Sequence, residues 1–395
     1  MSFSLYSVSG KDFIGREEII NELVKELSSK NKIGFSLSGI RRIGKTSILK
    51  ETKRILENSG ITVIYISVWS IVPSTVDEFT KIMNRVTISE FQKKLSTKFK
   101  FEHLLVTGTK ALAIFLQNLK LSANVTEDLE VSVSYVRKES DDVEAAIKKS
   151  FSLIEDLSKM TKTTSVLIID EFPSLVDLTY GTKNQKIGTE IVQLLRTLFE
   201  DFRNTKLVIS GSFRDTLENL VAKEKAPFYK QLLLREVSSF NEAEFEKFVK
   251  HYLPTLKFVG KDTKIELYKI TGGIPYNLQL IGKEIQYMKL KKIDKKKLYE
   301  IIQNVLQKEG NQSFKEVIAN LSPSEIKVLK GLAKSPELSP KEISKQEFID
   351  ENSVSACLNT LEKKVIIKKI ERGKYRFTDN MFAEWLKTQD SLHLL

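Results

Sequence analysis

The chain has very few of the residues that build disulfide frameworks and metal clusters. Its 395 residues include one cysteine, Cys357, and three histidines, His103, His251 and His393. A single cysteine allows neither an intrachain disulfide nor a cysteine-based zinc site. Three histidines spread along the chain argue against a histidine-rich metal site.

Segments that would target or anchor the chain at a membrane are also lacking. The first residues show no basic region followed by an apolar run, which a signal peptide requires. The sequence contains no run of about 18 apolar residues, the length that a membrane-spanning helix needs. Together with the low cysteine content, these absences predict a cytoplasmic protein without a membrane span.

What the chain does have is an ordinary apolar content and an excess of positive charge. Hydrophobic residues make up 41%, and 63 lysines and arginines face 51 acidic residues, a net charge of +12. Such an apolar content is typical of a globular chain with a sizeable core, and the length suits two or three domains. The positive charge fits a polyanionic partner such as nucleic acid without requiring one.

The first part of the chain alternates between strand and helix patterns. A strand at 34–39 precedes a helix over Lys45–Asn58, and further strands follow at 61–68, 165–169 and 206–209. This order predicts parallel βαβ units and therefore an α/β core over residues 1–240. An insert at about 76–140 begins with a basic helical pattern and contains an alternating stretch at 122–136, which predicts a hairpin.

After about residue 240 the pattern changes to amphipathic helices without strands. They are expected over Glu242–Tyr252, 262–270 and 275–288, followed by a charged surface turn at 289–297, and residues 241–310 would form a helical lid. Residues 311–395 end with three helices, two strands around Arg372-Gly373 and a last helix. That order is typical of a winged helix-turn-helix domain.

Residues 39–46 carry the first motif with chemical meaning. They match the phosphate-loop pattern G-x-x-x-x-G-K-[ST] between a strand and a helix. The amides of such a loop and the helix N-terminus cradle a phosphate chain. Lys45 is expected to reach the β- and γ-phosphates, and the Thr46 hydroxyl to bind Mg²⁺. Arg41 and Arg42 either steer or sense phosphate or are solvated charges.

Two carboxylates close the apolar strand at 165–169. Asp170 is expected to hold the Mg²⁺ shell, and Glu171 to polarise the attacking water as a general base. A later strand ends at Ser210-Gly211-Ser212, where Ser210 or Ser212 can report the γ-phosphate, although Ser212 could equally cap a helix. The candidates for an arginine-finger role, each of which could also be a surface charge, are Arg214, Lys230 and Arg235.

Together these motifs resemble the archaeal ATPase family, a branch of the STAND group of AAA+-related ATPases, over about residues 11–290. Two outlying motifs, at 13–16 and 272–275, belong to the resemblance; taken alone they could be core residues and a helix stop and restart. The resemblance implies that the motif at 13–16 contacts the adenine and ribose of the nucleotide. It also implies that Pro275 begins a lid helix that covers the base. The nucleotide-binding set that it implies is Phe13, Ile14, Gly15, Arg16, Gly39, Arg41, Arg42, Ile43, Gly44, Lys45, Thr46, Ser47 and Pro275.

These observations favour an Mg²⁺-dependent ATP-hydrolysing switch in which ATP binds between core and lid. Lys45, Glu171 and Ser210 would act in catalysis, and the winged helix would be the output arm. The alternative is an archaeal origin-recognition-like initiator or loader whose primary role is DNA binding. A non-hydrolysing scaffold is disfavoured by Glu171, and a small-molecule kinase by the lack of any acceptor-site pattern.

The distribution of charge leaves the site of any DNA contact open. Residues 321–395 hold 13 basic and 11 acidic residues, a net of only +2, whereas 81–120 hold eight basic and two acidic residues. Duplex DNA could therefore meet the winged helix or the basic insert. A second copy of the chain or another protein is a further candidate partner.

Overall fold

The computed structural model describes residues 3–98, 143–181, 185–212, 219–221, 223–224, 226–260, 262–334 and 338–389. The expected hairpin at 122–136, residues 99–120 of the basic segment and Arg214 lie outside the described residues. The chain divides into two compact units. The sheet unit comprises residues 17–39 and 45–236, and the helical unit comprises residues 1–16, 40–44 and 237–395.

A five-stranded parallel sheet forms the centre of the sheet unit. The strands of this unit are β1 (Gly34–Ser38), β2 (Thr62–Ser67), β3 (Ser165–Asp170), β4 (Thr179–Tyr180), β5 (Gln185–Lys186), β6 (Thr205–Gly211) and β7 (Leu232–Glu236). The sheet order is β2-β3-β6-β1-β7, and all four pairings are parallel. Residues 166–169 of β3 are each at most 1% exposed, as expected for a parallel sheet covered on both faces. The α/β core expected from the sequence is confirmed.

Helices bury apolar faces in the sheet unit. They are α1 (Glu17–Ser28), α2 (Lys45–Asn58), α3 (Val76–Lys98), α4 (Val143–Met160) and α5 (Gly188–Asp201). In α4, Ile147, Phe151 and Ile154 recur at helical spacing and are buried in the core that also contains Leu167 and Ile169. The sheet thereby gains a hydrophobic cover on the face where α4 packs.

The helical unit contains more than the helices that the sequence patterns predict. Its first elements are α6 (Glu242–Tyr252), β8 (Lys257–Phe258), α7 (Thr263–Thr271), α8 (Pro275–Tyr287), β9 (Lys292–Ile293), α9 (Lys295–Val305) and, after a π-helical turn, α10 (Asn311–Ala319). β8 and β9 form a short parallel pair. The expectation of a segment without strands, with only a surface turn at 289–297, is therefore wrong. Ile293 is buried among charged neighbours, and only its tertiary partner makes this stretch a strand.

Six further elements complete the helical unit. They are α11 (Pro323–Lys334), α12 (Pro340–Glu347), α13 (Glu351–Lys363), β10 (Ile367–Glu371), β11 (Lys374–Phe377) and α14 (Asn380–Lys387). The order of three helices, an antiparallel hairpin and a last helix agrees with the order read from the sequence. Capping side chains start these helices, since Ser339 forms a capping box with Glu342 and Asp350 accepts from the Ser353 amide.

Length and apolar character together decide whether a helix can cross a bilayer. Within the ranges given above, no helix has both the length and the apolar character of a membrane span.

Candidate functional site

The loop between β1 and α2 has the backbone of an anion-binding loop. Gly39 and Gly44 adopt φ angles of +154° and +102°, in the region that favours glycine. A Cβ at Gly44 would meet no atom within 4 Å, so the backbone there is open to a ligand. α2 begins directly at Lys45, and the first amides of a helix have no intrahelical partner. The loop therefore offers donors and space where a phosphate chain would lie.

Lys45 is held against this loop. Its side chain is 5% exposed, and its ammonium donates to the Gly39 carbonyl at 2.9 Å. Thr46 and Ser47 follow in the first turn of α2. A buried ammonium beside open amides is the arrangement that attracts β- and γ-phosphate oxygens.

Asp170 lies at the end of β3 and gathers hydroxyl groups from three elements. Its Oδ2 accepts from the Thr46 hydroxyl at 2.8 Å and from the Tyr65 phenol at 2.8 Å. Its Oδ1 accepts from the Ser210 hydroxyl of β6 and from the Glu171 amide at 3.1 Å. Asp170 is 2% exposed, so this network fixes the carboxylate in a largely water-free place. The structure thus joins Thr46, Asp170 and Ser210, three residues that the sequence singled out.

Glu171 occupies a strained position beside it. Its φ of +54° and ψ of +45° place a residue other than glycine in the left-handed region, which costs about 1 to 3 kcal/mol. Ser212 donates two hydrogen bonds to the Glu171 carboxylate. Its hydroxyl donates to Oε1 at 2.7 Å, and its backbone amide donates to Oε2 at 3.3 Å. Ser210 and Ser212 therefore have different partners: Ser210 contacts the Asp170 carboxylate and Ser212 contacts that of Glu171.

Tyr65 is the member of this cluster that sequence reasoning missed. Burial raises the pKa of its phenol well above the ordinary value, and the neighbouring Asp170 raises it further, so the phenol stays protonated and donates. Tyr65 sits two residues before Ser67, which pairs in register with Asp170. The sequence signal that could have identified it was a tyrosine near the carboxyl end of β2, the strand that pairs with β3.

The oxygen groups in the sheet unit fit Mg²⁺ better than a softer metal. Over the part of the chain that the structure describes, no group of three or more His, Cys, Asp or Glu residues could hold a metal ion by itself. Thr46 and Asp170 supply oxygen donors only, and Mg²⁺ is usually held by one or two carboxylates together with substrate phosphates. These residues would thus hold Mg²⁺ jointly with a bound nucleotide.

In the helical unit, Arg16 links the segment at 13–16 to the phosphate loop. Its guanidinium donates to the Ile43 carbonyl at 3.3 Å, and its amide donates to Glu244 at 2.7 Å. The guanidinium also lies 4.7 Å from the ring centroid of Phe240. Burial lowers the pKa of Arg16 and the charge of Glu244 opposes that shift, so the pair offsets the cost of burying this cation.

The structure also shows the local surroundings of the other nucleotide-site candidates in the two outlying motifs. Ile14 packs against the hydrophobic core of the helical unit. Phe13 ends a short 3₁₀ turn, where its backbone amide donates a hydrogen bond to the Gly10 carbonyl. Gly15 has φ +75°, and a Cβ there would lie 3.1 Å from Glu244 Oε1. Pro275 is the first residue of α8.

Arg42 shows what one of the two loop arginines does. Its guanidinium lies 4.2 Å from the ring centroid of Tyr276, and it donates to the Ser313 hydroxyl at 3.4 Å. Arg41 is exposed in the same loop. Among the finger candidates, Arg235 is bound to Glu22 of α1, with its Nε 2.8 Å from Oε2, and Lys230 lies over the Tyr229 ring.

Comparison with known proteins agrees with this arrangement. The chain belongs to a family described as an ATPase domain predominantly from Archaea, whose sequence model matches residues 13–281. The chain is also 25% identical over 323 residues to an uncharacterized protein of Methanocaldococcus jannaschii. That match covers 78% of this chain and 64% of the relative, so the chain spans less than two thirds of the relative's length.

Solved structures share the fold. The Walker-type ATPase of Pyrococcus abyssi matches with a TM-score of 0.67 at 22% identity, covering 98% of this chain and all of that one. The ORC2 protein of Aeropyrum pernix, solved as ADPNP–ADP complexes, matches with a TM-score of 0.53 at 13% identity, covering 94% of this chain and 93% of that one. At these identities the likeness shows the fold alone, a parallel-sheet α/β core that resembles those of P-loop ATPases.

Proposed function

We propose that this protein binds ATP with Mg²⁺ and hydrolyses it to ADP and phosphate. The observation that carries the proposal is the 2.8 Å bond between the Thr46 hydroxyl and Asp170, with Glu171 next in the chain. It places the end of the phosphate loop against the acidic strand end, which a phosphate-loop ATPase requires. Membership in an ATPase-domain family supports the same proposal.

In this proposal each residue of the cluster has a separate task. Lys45 binds β- and γ-phosphate oxygens, and Thr46 with Asp170 holds Mg²⁺, which supplies positive charge for the developing negative charge. Glu171 accepts a proton from the attacking water. The water oxygen bonds to the γ-phosphorus while the bond from that phosphorus to the bridging oxygen breaks, and the electron pair leaves with ADP. Ser210 keeps Asp170 in place.

We further propose that hydrolysis operates a switch of the STAND type. Support comes from Arg42, since this phosphate-loop residue contacts Tyr276 of α8 and Ser313 of α10 in the helical unit. A change in the loop on loss of the γ-phosphate would therefore bear on those helices. Residues 311–395 would form the winged-helix output arm.

The second candidate, a DNA-binding initiator or loader, draws support from the hairpin β10–β11. Its exposed side chains are predominantly basic and include Lys368, Lys369 and Arg372. Such a hairpin can place cations against phosphates. Replacing Lys368 and Lys369 by Glu should then weaken duplex DNA binding. The slope of log K against log salt concentration should become shallower by the amount that about two lost phosphate contacts would cause. Binding with an unchanged salt slope would remove the hairpin from DNA recognition.

The hydrolysis proposal is tested by measuring ATP turnover and ATP affinity in matched variants. Glu171→Gln should keep ATP affinity and slow turnover by about 10²- to 10⁴-fold, the usual contribution of a general base. Glu190→Gln is the control, because Glu190 is exposed on α5. Lys45→Ala should weaken ATP binding. Turnover unchanged in Glu171→Gln would exclude Glu171 as the base, and unchanged ATP affinity in Lys45→Ala would contradict the phosphate-loop assignment.

A further inference from the structure

The carboxylate of Asp170 has a hydrogen-bond partner for each of its acceptor positions. An ionised carboxylate offers about four lone-pair positions, two on each oxygen. Oδ2 accepts from the Thr46 and Tyr65 hydroxyls, and Oδ1 accepts from the Ser210 hydroxyl and the Glu171 amide. A direct bond from Asp170 to a metal would therefore have to displace one of these donors. The arrangement favours a carboxylate that acts on Mg²⁺ through intervening groups.

The two hydroxyls on Oδ2 are equivalent in one respect. Thr46 and Tyr65 each direct their proton to the same oxygen, both at 2.8 Å. Because the proton of each hydroxyl is committed, the lone pairs of each oxygen remain to coordinate a cation or accept a hydrogen bond. Mg²⁺ dehydrates reluctantly and commonly keeps several waters in proteins.

We propose that Tyr65 is a positioning residue of the magnesium site. Its proton orients Asp170, and its phenol oxygen accepts a hydrogen bond from a water of the Mg²⁺ shell. Thr46 is the hydroxyl that meets the ion, and Tyr65 is the hydroxyl that meets the hydration shell. This inference rests on the proposed ATPase function and extends it to a residue outside the loop and the acidic strand end.

The test replaces only the phenol oxygen. Tyr65→Phe keeps the ring, so packing is preserved, and circular dichroism checks the fold. Tyr299→Phe is the matched control, because the Tyr299 phenol also donates to a carboxylate, that of Glu266, in the helical unit. In the full-length chain, binding of a fluorescent, non-hydrolysable ATP analogue is measured by anisotropy over a series of Mg²⁺ concentrations and in EDTA.

The expected result is specific for the metal. Tyr65→Phe should raise the Mg²⁺ concentration for the half-maximal effect by about 10-fold, within the range known for partners of metal ligands, and leave affinity in EDTA unchanged. A half-maximal concentration equal to that of Tyr299→Phe, or an equal loss of affinity in EDTA, would overturn the role of Tyr65. Unchanged affinity in Lys45→Ala under the same conditions would instead overturn the ATPase proposal itself, so the two failures are distinguishable.

Discussion

The guanidinium of Arg42 lies over the ring of Tyr276, 4.2 Å from its centroid. Arg42 has φ +66°, so the backbone of the phosphate loop is bent at the residue that makes this contact. Tyr276 is the second residue of α8, directly after Pro275. The phosphate loop therefore contacts α8, the helix that begins at the end of the motif at 272–275. The contact is made by Tyr276, which lies just outside that motif.

The first prediction concerns this stacked pair. In a double-mutant cycle, Arg42→Ala and Tyr276→Ala should show a coupling of about 0.5 to 1 kcal/mol in the free energy of unfolding, the usual size of a cation–π contact. Additive effects for Arg42 and Tyr276 would show that their stacking contributes no stability.

The second prediction concerns Gly273, which precedes α8. Its φ is +66°, its carbonyl accepts from the Phe240 amide at 2.8 Å, and a Cβ would lie 2.5 Å from the Phe240 carbonyl oxygen. Gly273→Ala should therefore cost clearly more than the roughly 1 to 2 kcal/mol of left-handed strain alone. Gly260→Ala is the control, since its φ is +86° and its Cβ would meet only ordinary contacts. Equal shifts of the urea midpoint in Gly273→Ala and Gly260→Ala would mean that the backbone at Phe240 moves aside without loss of stability.

The third prediction follows from Glu325 in the first turn of α11. Burial raises the pKa of this carboxyl, but hydrogen bonds from Ser322 and Lys364 lower it by more, and the result lies below the ordinary 4.5. The folded form therefore binds this proton less readily than the unfolded form. The bonds add stability above pH 4.5 that is lost as the pH falls through the lowered value.

Glu325→Gln should accordingly cost about 2 kcal/mol at pH 7, typical of hydrogen bonds to a charged group. The difference from the unaltered chain should shrink in acid, and denaturation midpoints at pH 7 and at the acid limit of reversible folding measure it. Glu316→Gln, on the exposed side of α10, should show no such dependence. A constant difference across this range would mean that the charge of Glu325 is not the stabilising element.

The fourth prediction separates the two serines at the carboxyl end of β6, Ser210 within the strand and Ser212 just after it. The Ser212 hydroxyl donates to Glu171 at 2.7 Å, so Ser212→Ala should slow ATP turnover by about 10-fold through loss of one bond to a charged group. ATP affinity should stay unchanged, because Ser212 has no bond to Asp170. Ser174→Ala, which removes only the acceptor of the Trp69 indole, is the control. Equal turnover in both variants would remove Ser212 from the positioning of Glu171.

Local patterns predicted much of this fold. The bounds of α2 and α6 agree with the sequence patterns because each helix carries its own apolar periodicity and end signals. The patterns did not identify α1, α5 or β7. β7 is an edge strand, and its Leu233 and Leu234 are 40% and 43% exposed, so it lacks the buried run that marked the central strands.

The sequence by itself determined which chemical groups are available to the candidate site. They are the phosphate loop at 39–46, the carboxylates at 170 and 171, and the serine hydroxyls at 210 and 212. These signals are contiguous, and each depends on backbone and side chains within one turn or strand end. Tertiary structure alone decided which groups share one carboxylate. Thr46 and Tyr65 lie 124 and 105 residues from Asp170. Parallel pairing of β2 with β3 brings Tyr65 to the same sheet edge as Asp170, and pairing of β3 with β6 and of β6 with β1 brings the start of α2, which contains Thr46, to that edge as well. No local pattern encodes that register, because it is set by how the strands pair.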